Sequence, residues 1–170
     1  MRLFIAIRLS EELRSALKDV QAGLRRRGMR GNYTNVENLH LTLAFIGEYP
    51  DPQAVLDAME TVPFAPFSLR LDGFGHFGDL WWAGLADSEA LTAYVGRLRR
   101  ALAASDIPFD RKSFRPHITL VRRAVWGGRG GLPAAVIPEA GMEAGHVSLM
   151  RSDRGKNGMI YTELGRVPQG

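Results

Sequence analysis

The 170-residue chain contains no cysteine. That excludes a disulfide framework, thiol catalysis and cysteine-ligated zinc, and it agrees with a reducing compartment, so the cytoplasm is the expected location. Lysine is nearly absent as well: three of the 22 basic residues are Lys and 19 are Arg, giving a net charge of +4. A GC-rich coding bias accounts for this as readily as selection does. The charge therefore permits an anionic partner without establishing one, although the planar guanidinium fork suits phosphate oxygens. No apolar run approaches about 18 residues, which excludes a membrane-spanning helix and gives no reason to expect a membrane partner. The apolar stretch between Arg2 and Arg8 is too short for a signal peptide and reads as a strand. With 45% hydrophobic and 24% charged residues, the composition is that of a soluble globular protein, expected as one bilobal domain over residues 1–170.

Histidine is also scarce, at four residues, yet two of them stand in the same motif. His40-Leu41-Thr42-Leu43 and His117-Ile118-Thr119-Leu120 both read His-x-Thr-Leu within apolar runs that predict strands. Because strand side chains alternate between faces, each copy puts its His and Thr on one face and its apolar residues on the other.

The surroundings of the two copies match. Leu3–Ile7 predicts a strand. Ser10 is an N-cap candidate followed by Glu11 and Glu12, and Leu13, Leu17, Val20 and Leu24 then mark one helical face. Arg25, Arg26 and Arg27 close that helix and Gly28 stops it. They are candidates for nucleic-acid phosphates, although a solvated last turn explains them more simply. Gly31–Asn38 reads as irregular and leads into a strand over Leu39–Ile46. Asp51 and Pro52 start a short helix reaching about Thr61, and Phe67–Leu71 reads as a strand. Gly73–Gly78 reads as a turn or irregular loop.

Leu80–Leu85 is the next strand. Trp81 and Trp82 alternate across it, one toward the core and one toward the surface. Ser88 caps a second helix with Leu91, Val95, Leu98 and Leu102 on its apolar face, and a strand over His117–Arg123 follows. Trp126–Pro138, with its glycines and Arg129, reads as a mobile surface loop. Ala144–Arg151 and Gly158–Leu164 form a hairpin around a turn-rich Ser152–Asn157. His76 and His146 match no motif and read as structural.

Strand, serine-capped helix, loop and motif strand thus occur over 3–46 and again over 80–123, with 30 positions from Ser10 to His40 and 29 from Ser88 to His117. The expected fold is α/β of the α+β type: two pseudo-symmetric lobes, each an antiparallel sheet with outer helices. A two-fold relation would bring the polar faces of both motif strands across one central cleft.

Two opposed histidines can act as base and acid near neutral pH, each proton transfer contributing roughly 10²–10⁴-fold. Hydroxyls beside them can hold non-reacting oxygens, and no metal or cofactor is required. A phosphodiester reacting in line suits this pair, and a strained cyclic phosphate suits it best. Three other readings fit less well. A metal site lacks Asp or Glu beside either motif. A nucleophilic triad lacks geometry, because Thr two residues along a strand points beside its His rather than at it. A basic RNA-binding module with vestigial or no catalysis remains the alternative, but it has no need of a duplicated His-x-Thr.

These residues resemble the paired motifs of the two-histidine phosphoesterase superfamily, and within it the LigT-like RNA 2′,3′-cyclic phosphodiesterases, also called 2′–5′ RNA ligases. The similarity runs through Arg2–Ile7, Asn38–Gly47, Phe114–Leu120 and the closing hairpin from Ser148 to Tyr161. Similar proteins often carry Trp ahead of the first motif, where this chain has Tyr33 or Thr34. The resemblance implies a bilobal fold with a central cleft and hydrolysis of RNA 2′,3′-cyclic phosphate ends to 2′-phosphates, and it leaves room for 2′–5′ RNA ligation as a side activity. It implies His40 as proton donor, His117 as proton acceptor, and Thr42 and Thr119 as phosphate ligands, with no metal. It places a further phosphate ligand at Arg122. Simple alternation would turn Arg122 away from His117, so either the strand bulges or Arg123 takes that place. Substrates that fit are RNA ends, tRNA-derived ones among them, and small cyclic nucleotides. A monomer is the default expectation.

Overall fold

The computed structural model describes residues 1–128 and 131–169; Arg129, named above in the loop read over Trp126–Pro138, lies outside them. The first strand, β1 (Arg2–Arg8), buries Leu3 through Ile7 without interruption. Such a continuous apolar run belongs to a strand covered on both faces. Helix α1 (Glu11–Arg26) begins where expected, with the Leu13 N–H donating to Ser10 Oγ at 3.2 Å. Helix α2 (Pro52–Glu60) is capped by Asp51, whose carboxylate accepts from the Ala54 N–H at 3.1 Å. The last helix, α3 (Glu89–Ala104), is capped by Ser88 Oγ, which accepts from Leu91 N–H at 3.1 Å.

The strands form two antiparallel sheets. One runs β3 (His40–Glu48), β1, β8 (Val147–Gly155), β9 (Gly158–Val167). The other runs β2 (Met29–Tyr33), β6 (His117–Trp126), β5 (Leu80–Leu85), β4 (Phe67–Phe77), β7 (Gly141–Ala144). The helices cross between the two halves of the chain. Leu13, Leu17, Val20 and Leu24 of α1 pack with Trp81, Ile118, Leu120 and Val121 of the five-stranded sheet. Leu91, Val95, Leu98 and Leu102 of α3 pack, together with α2, on Leu3, Ile5, Leu41 and Leu43 of the four-stranded sheet. Each lobe is therefore an antiparallel sheet with outer helices, as expected, but each motif strand is backed by the helix from the other half of the chain. Among the described residues no helix is long and apolar enough to cross a membrane.

Four stretches differ from the sequence reading. Met29–Tyr33, of which Gly31–Tyr33 were read as irregular, is an edge strand pairing with β6, and Val36–Asn38 is a single 3-10 turn. Of this strand only Met29 is buried, so no alternation marks it. Gly73–Phe77, read as a turn, continues β4. Its glycines permit close packing: a Cβ on Gly75 would lie 2.6 Å from the Trp82 ring. The segment after Trp126 is partly anchored, since Ile137 and Ala140 pack on the core and Leu71 N–H donates to Ala140 O at 2.9 Å. The expected Ala144–Arg151 strand is divided, with β7 ending at Ala144 and β8 starting at Val147, while the hairpin turn narrows to Lys156–Asn157.

Candidate active site

Both motif strands break their alternation at the same place. On β3, Thr42 pairs with Ala6 and Ala44 with Ile5, so Leu43 is an extra residue. On β6, Thr119 pairs with Trp82 and Val121 with Trp81, so Leu120 is extra. Each is a β-bulge, with two residues opposite one on the partner strand. Two consecutive side chains then turn into the core: Leu43 and Ala44 on β3, Leu120 and Val121 on β6. Beyond each bulge the faces exchange. Phe45 therefore joins the face of His40 and Thr42, and Arg122 joins the face of His117 and Thr119. Of the two arginines that simple alternation left open, the bulge puts Arg122 on the face of His117. Its charge reaches both His40 and Tyr161.

The two imidazoles are held in the same way. His40 Nδ1 lies 2.6 Å from the carbonyl of Asn38, and His117 Nδ1 lies 2.6 Å from the carbonyl of Arg115. A carbonyl only accepts, so each Nδ1 carries its proton and each Nε2 is left for chemistry. Asn38 is itself fixed, its side-chain Nδ2 donating to Met159 O at 2.8 Å beside the β8–β9 turn. His40 Nε2 also meets Thr42 Oγ1 at 2.9 Å. This corrects the expectation that a threonine two positions along a strand points only beside its histidine: the side chains on one face lean together far enough to hydrogen-bond.

The surroundings of the two rings differ. His40 sits against Phe4 at 5.0 Å and edge-on to Tyr161 at 5.3 Å between ring centroids. Burial pushes its pKa below the ordinary imidazole value. The Asn38 hydrogen bond opposes that shift, and the positive charges of Arg122 and His117 add to it. A cavity of about 30 Å³ lies beside this ring, lined in part by Arg8, Asn38 and Tyr161, with room for about one water. His117 is more open, edge-on to Phe77 at 5.2 Å and 6.4 Å from Trp82. It lines a larger cavity of about 550 Å³ with Thr42, Phe45, Phe77, Phe114 and Arg115. That space is bounded by both motif strands, so the two motifs meet at one cleft, as the repeat predicted.

The aromatic walls were not read from the sequence. Phe45 sits one step past a bulge, and Phe77 lies in the glycine-rich run taken for a loop. Tyr161 stood only inside the resembling hairpin. Trp81 is core and Trp82 faces the cleft side, as their alternation suggested. His76 stacks on Trp81 at 4.4 Å and holds the β4–β5 turn through Gly78 O at 3.0 Å. Among the described residues, no group of three or more His, Asp or Glu is placed to hold a metal ion.

The model of the 2′-5′ RNA ligase superfamily matches residues 7–156. The RNA 2′,3′-cyclic phosphodiesterase of Thermotoga maritima is 33% identical over 132 residues, covering 72% of this chain and 70% of its own. The protein of that name from Thermus thermophilus is 34% identical over 184 residues, covering 96% and 88%. E. coli LigT, solved in complex with 3′-AMP, superposes with a TM-score of 0.84 at 27% identity over 97% of this chain and 95% of its own. With a matching family model over most of its length and the same fold as LigT, this chain belongs to the 2′-5′ RNA ligase superfamily.

Proposed function

We propose that the protein hydrolyses RNA 2′,3′-cyclic phosphate ends to 2′-phosphates without a metal. The observation that carries this is the matched pair of imidazoles, each with Nδ1 committed to a carbonyl two residues upstream, so that Nε2 is the nitrogen left to exchange a proton, at His40 beside Thr42 Oγ1. His117 Nε2 accepts a proton from water as the water oxygen bonds to phosphorus. The bond from phosphorus to O3′ breaks on the opposite side, and the Nε2 proton of His40 goes to O3′. Thr42, Thr119 and Arg122 hold the non-reacting oxygens. The relatives named as RNA 2′,3′-cyclic phosphodiesterases support the substrate class.

The lowered pKa of His40 fits this division in one respect and constrains it in another. A depressed pKa makes the imidazolium a stronger acid, yet leaves it mostly neutral in the empty cleft. An entering phosphate brings negative charge against Arg122 and His117, which favours the protonated form at the moment it is needed. With a 5′-hydroxyl in place of water, the same geometry forms a 2′–5′ linkage, so ligation is a side activity of the same site. RNA ends, including tRNA-derived ones, are the proposed partners of a cytoplasmic monomer.

The test is incubation of pure protein with an oligonucleotide ending in a 2′,3′-cyclic phosphate, with and without EDTA, followed by identification of the product end. A 2′-phosphate formed equally in both supports the proposal. Formation of a 3′-phosphate, or activity lost to EDTA and restored by one divalent metal, overturns it. RNA binding with no turnover would leave the non-catalytic RNA-binding module as the better reading.

A further inference from the structure

Each bulge leaves a backbone carbonyl pointing toward a helix, and each carbonyl is met by a side chain from the half of the chain that does not contain its motif. Gln21 of α1 is buried at 2% exposure, and its Nε2 donates to Leu120 O at 3.0 Å and to Thr34 O at 2.9 Å. The Thr34 N–H donates to the same Leu120 carbonyl at 3.0 Å. Across the molecule, Arg99 of α3 donates to Leu43 O through Nε at 3.3 Å and Nη2 at 3.1 Å, and to Lys112 O through Nη1 at 2.7 Å.

The correspondence is one of position as well as of geometry. Gln21 and Arg99 each stand eleven residues after the serine that caps their helix (21 − 10 and 99 − 88), and Thr34 and Lys112 each stand twenty-four after it (34 − 10 and 112 − 88). Leu43 and Leu120 are each the last residue of a motif. One device is thus built twice, with a different side chain doing the same work in each copy.

We propose that Gln21 is a positioning residue for the phosphate-binding role of Arg122, holding the bulge at Leu120 that keeps Arg122 on the face of His117, and that Arg99 is its counterpart at the bulge after Thr42. This rests on the reading of Arg122 as a phosphate ligand. The physical reason is the register of the strand. The Gln21 amide ties Leu120 O, at the bulge, to Thr34 O on the segment that leaves β2, and a part-buried carbonyl that loses its donor is costly. Without the Gln21 amide Leu120 O keeps only the Thr34 N–H and Thr34 O loses its Gln21 donor, which favours a β6 that regains regular pairing by dropping the bulge. One residue of slippage turns Arg122 to the opposite face.

The test is a double-mutant cycle on Gln21→Met and Arg122→Ala, read by kcat/KM on a 2′,3′-cyclic nucleotide and by competitive inhibition with inorganic phosphate. A charge-assisted contact to phosphate predicts that Arg122→Ala weakens phosphate inhibition and lowers kcat/KM by roughly 10- to 100-fold. Gln21→Met produces most of that loss, and the double variant loses little more than Arg122→Ala alone. Circular dichroism and thermal melting establish that the variants are folded at the assay temperature. Gln21→Asn, which keeps the amide but falls short of both carbonyls, is the milder alternative should Gln21→Met not fold, and it shows the same non-additivity. A full loss in Arg122→Ala, with Gln21 variants that are active or that multiply independently with it, overturns the role of Gln21 alone. An Arg122→Ala variant with unchanged turnover and phosphate inhibition overturns the phosphate reading of Arg122 and this inference with it.

Discussion

Gly31 on β2 lies against the stretch of β6 that carries Arg122, and replacing it with alanine is a sharp perturbation of the site from outside the cleft. Its φ is +155°, and an added Cβ would lie 2.8 Å from Val121 Cγ2, 2.9 Å from Arg122 O and 3.0 Å from Ala124 Cα. Two of those three atoms are backbone, so no rotamer change relieves them. Overpacking costs about 1–3 kcal/mol, and the backbone conformation adds about 1 kcal/mol for a residue with a Cβ. The total of about 2–4 kcal/mol, at about 2–4 °C per kcal/mol for a chain of this size, lowers Tm by about 4–16 °C.

Because the strain falls on the Arg122 peptide, activity drops too. A displacement near 1 Å at a positioned group costs on the order of 10²-fold in rate. Gly28→Ala is the control: its φ is +98°, but nothing lies within 4 Å of its Cβ position. It should cost about 1 kcal/mol with turnover intact. Melting by circular dichroism and turnover of a cyclic nucleotide read both variants. If Gly31→Ala melts no lower than Gly28→Ala and turns over like the parent, the close approach of β2 does not set the position of Arg122.

Three further outcomes are expected. The pH profile of kcat is bell-shaped. His40→Ala loses the alkaline limb and His117→Ala the acidic limb, and a substrate with a better leaving group rescues His40→Ala far more than His117→Ala; rescue of His117→Ala instead reverses the assignment. Stability depends on His40 in a defined direction. Its folded pKa lies below the unfolded value of about 6.5, so the unfolded chain takes up that proton first, and the contribution is complete above about pH 6.5 and lost as pH falls through the folded value. Between pH 7.5 and 5 the parent should therefore lose more Tm than His40→Gln, and parallel curves would contradict the burial argument. Finally, if Arg25, Arg26 and Arg27 track single-stranded RNA, replacing them shallows the log–log salt slope of binding by roughly 0.7 per contact. Arg25 already stacks on Tyr33 at 4.1 Å and Arg27 lies over Trp126 at 5.8 Å, so an unchanged slope would assign these arginines to packing and confine recognition to the cleft.

What could be read in the sequence was local. Ser10, Asp51 and Ser88 cap helices because a short polar side chain needs only the N–H three residues on. The shared face of His40 with Thr42, and of His117 with Thr119, follows from two residues of alternation. What could not be read depends on a partner strand or helix. The bulges at Leu43 and Leu120 are set by register against β1 and β5 and by donors on distant helices, so the cleft positions of Phe45 and Arg122 lay beyond simple periodicity. The edge strand at Met29–Tyr33 escaped notice because its extended form comes from pairing with β6 and the close fit at Gly31, and it carries no hydrophobic pattern of its own. Tyr161 reaches His40 only because β8 and β9 complete the first sheet.

The position of β1 inside that sheet bears on how the chain is made. One edge of β1 pairs with β3, but the other pairs with β8, where Phe4 lies opposite Met150 and Leu3 opposite Arg151. At a synthesis rate of about 5–20 residues per second, that second edge waits roughly 7–30 s for its partner. Throughout that interval a strand with five consecutive buried residues, Leu3–Ile7, has an unpaired row of N–H and C=O groups on a nascent chain. The element that seats Phe4 beneath His40 is thus also the one most exposed to pairing with the wrong neighbour, and productive folding of the cleft floor awaits a strand, β8, made long after β1 has left the ribosome.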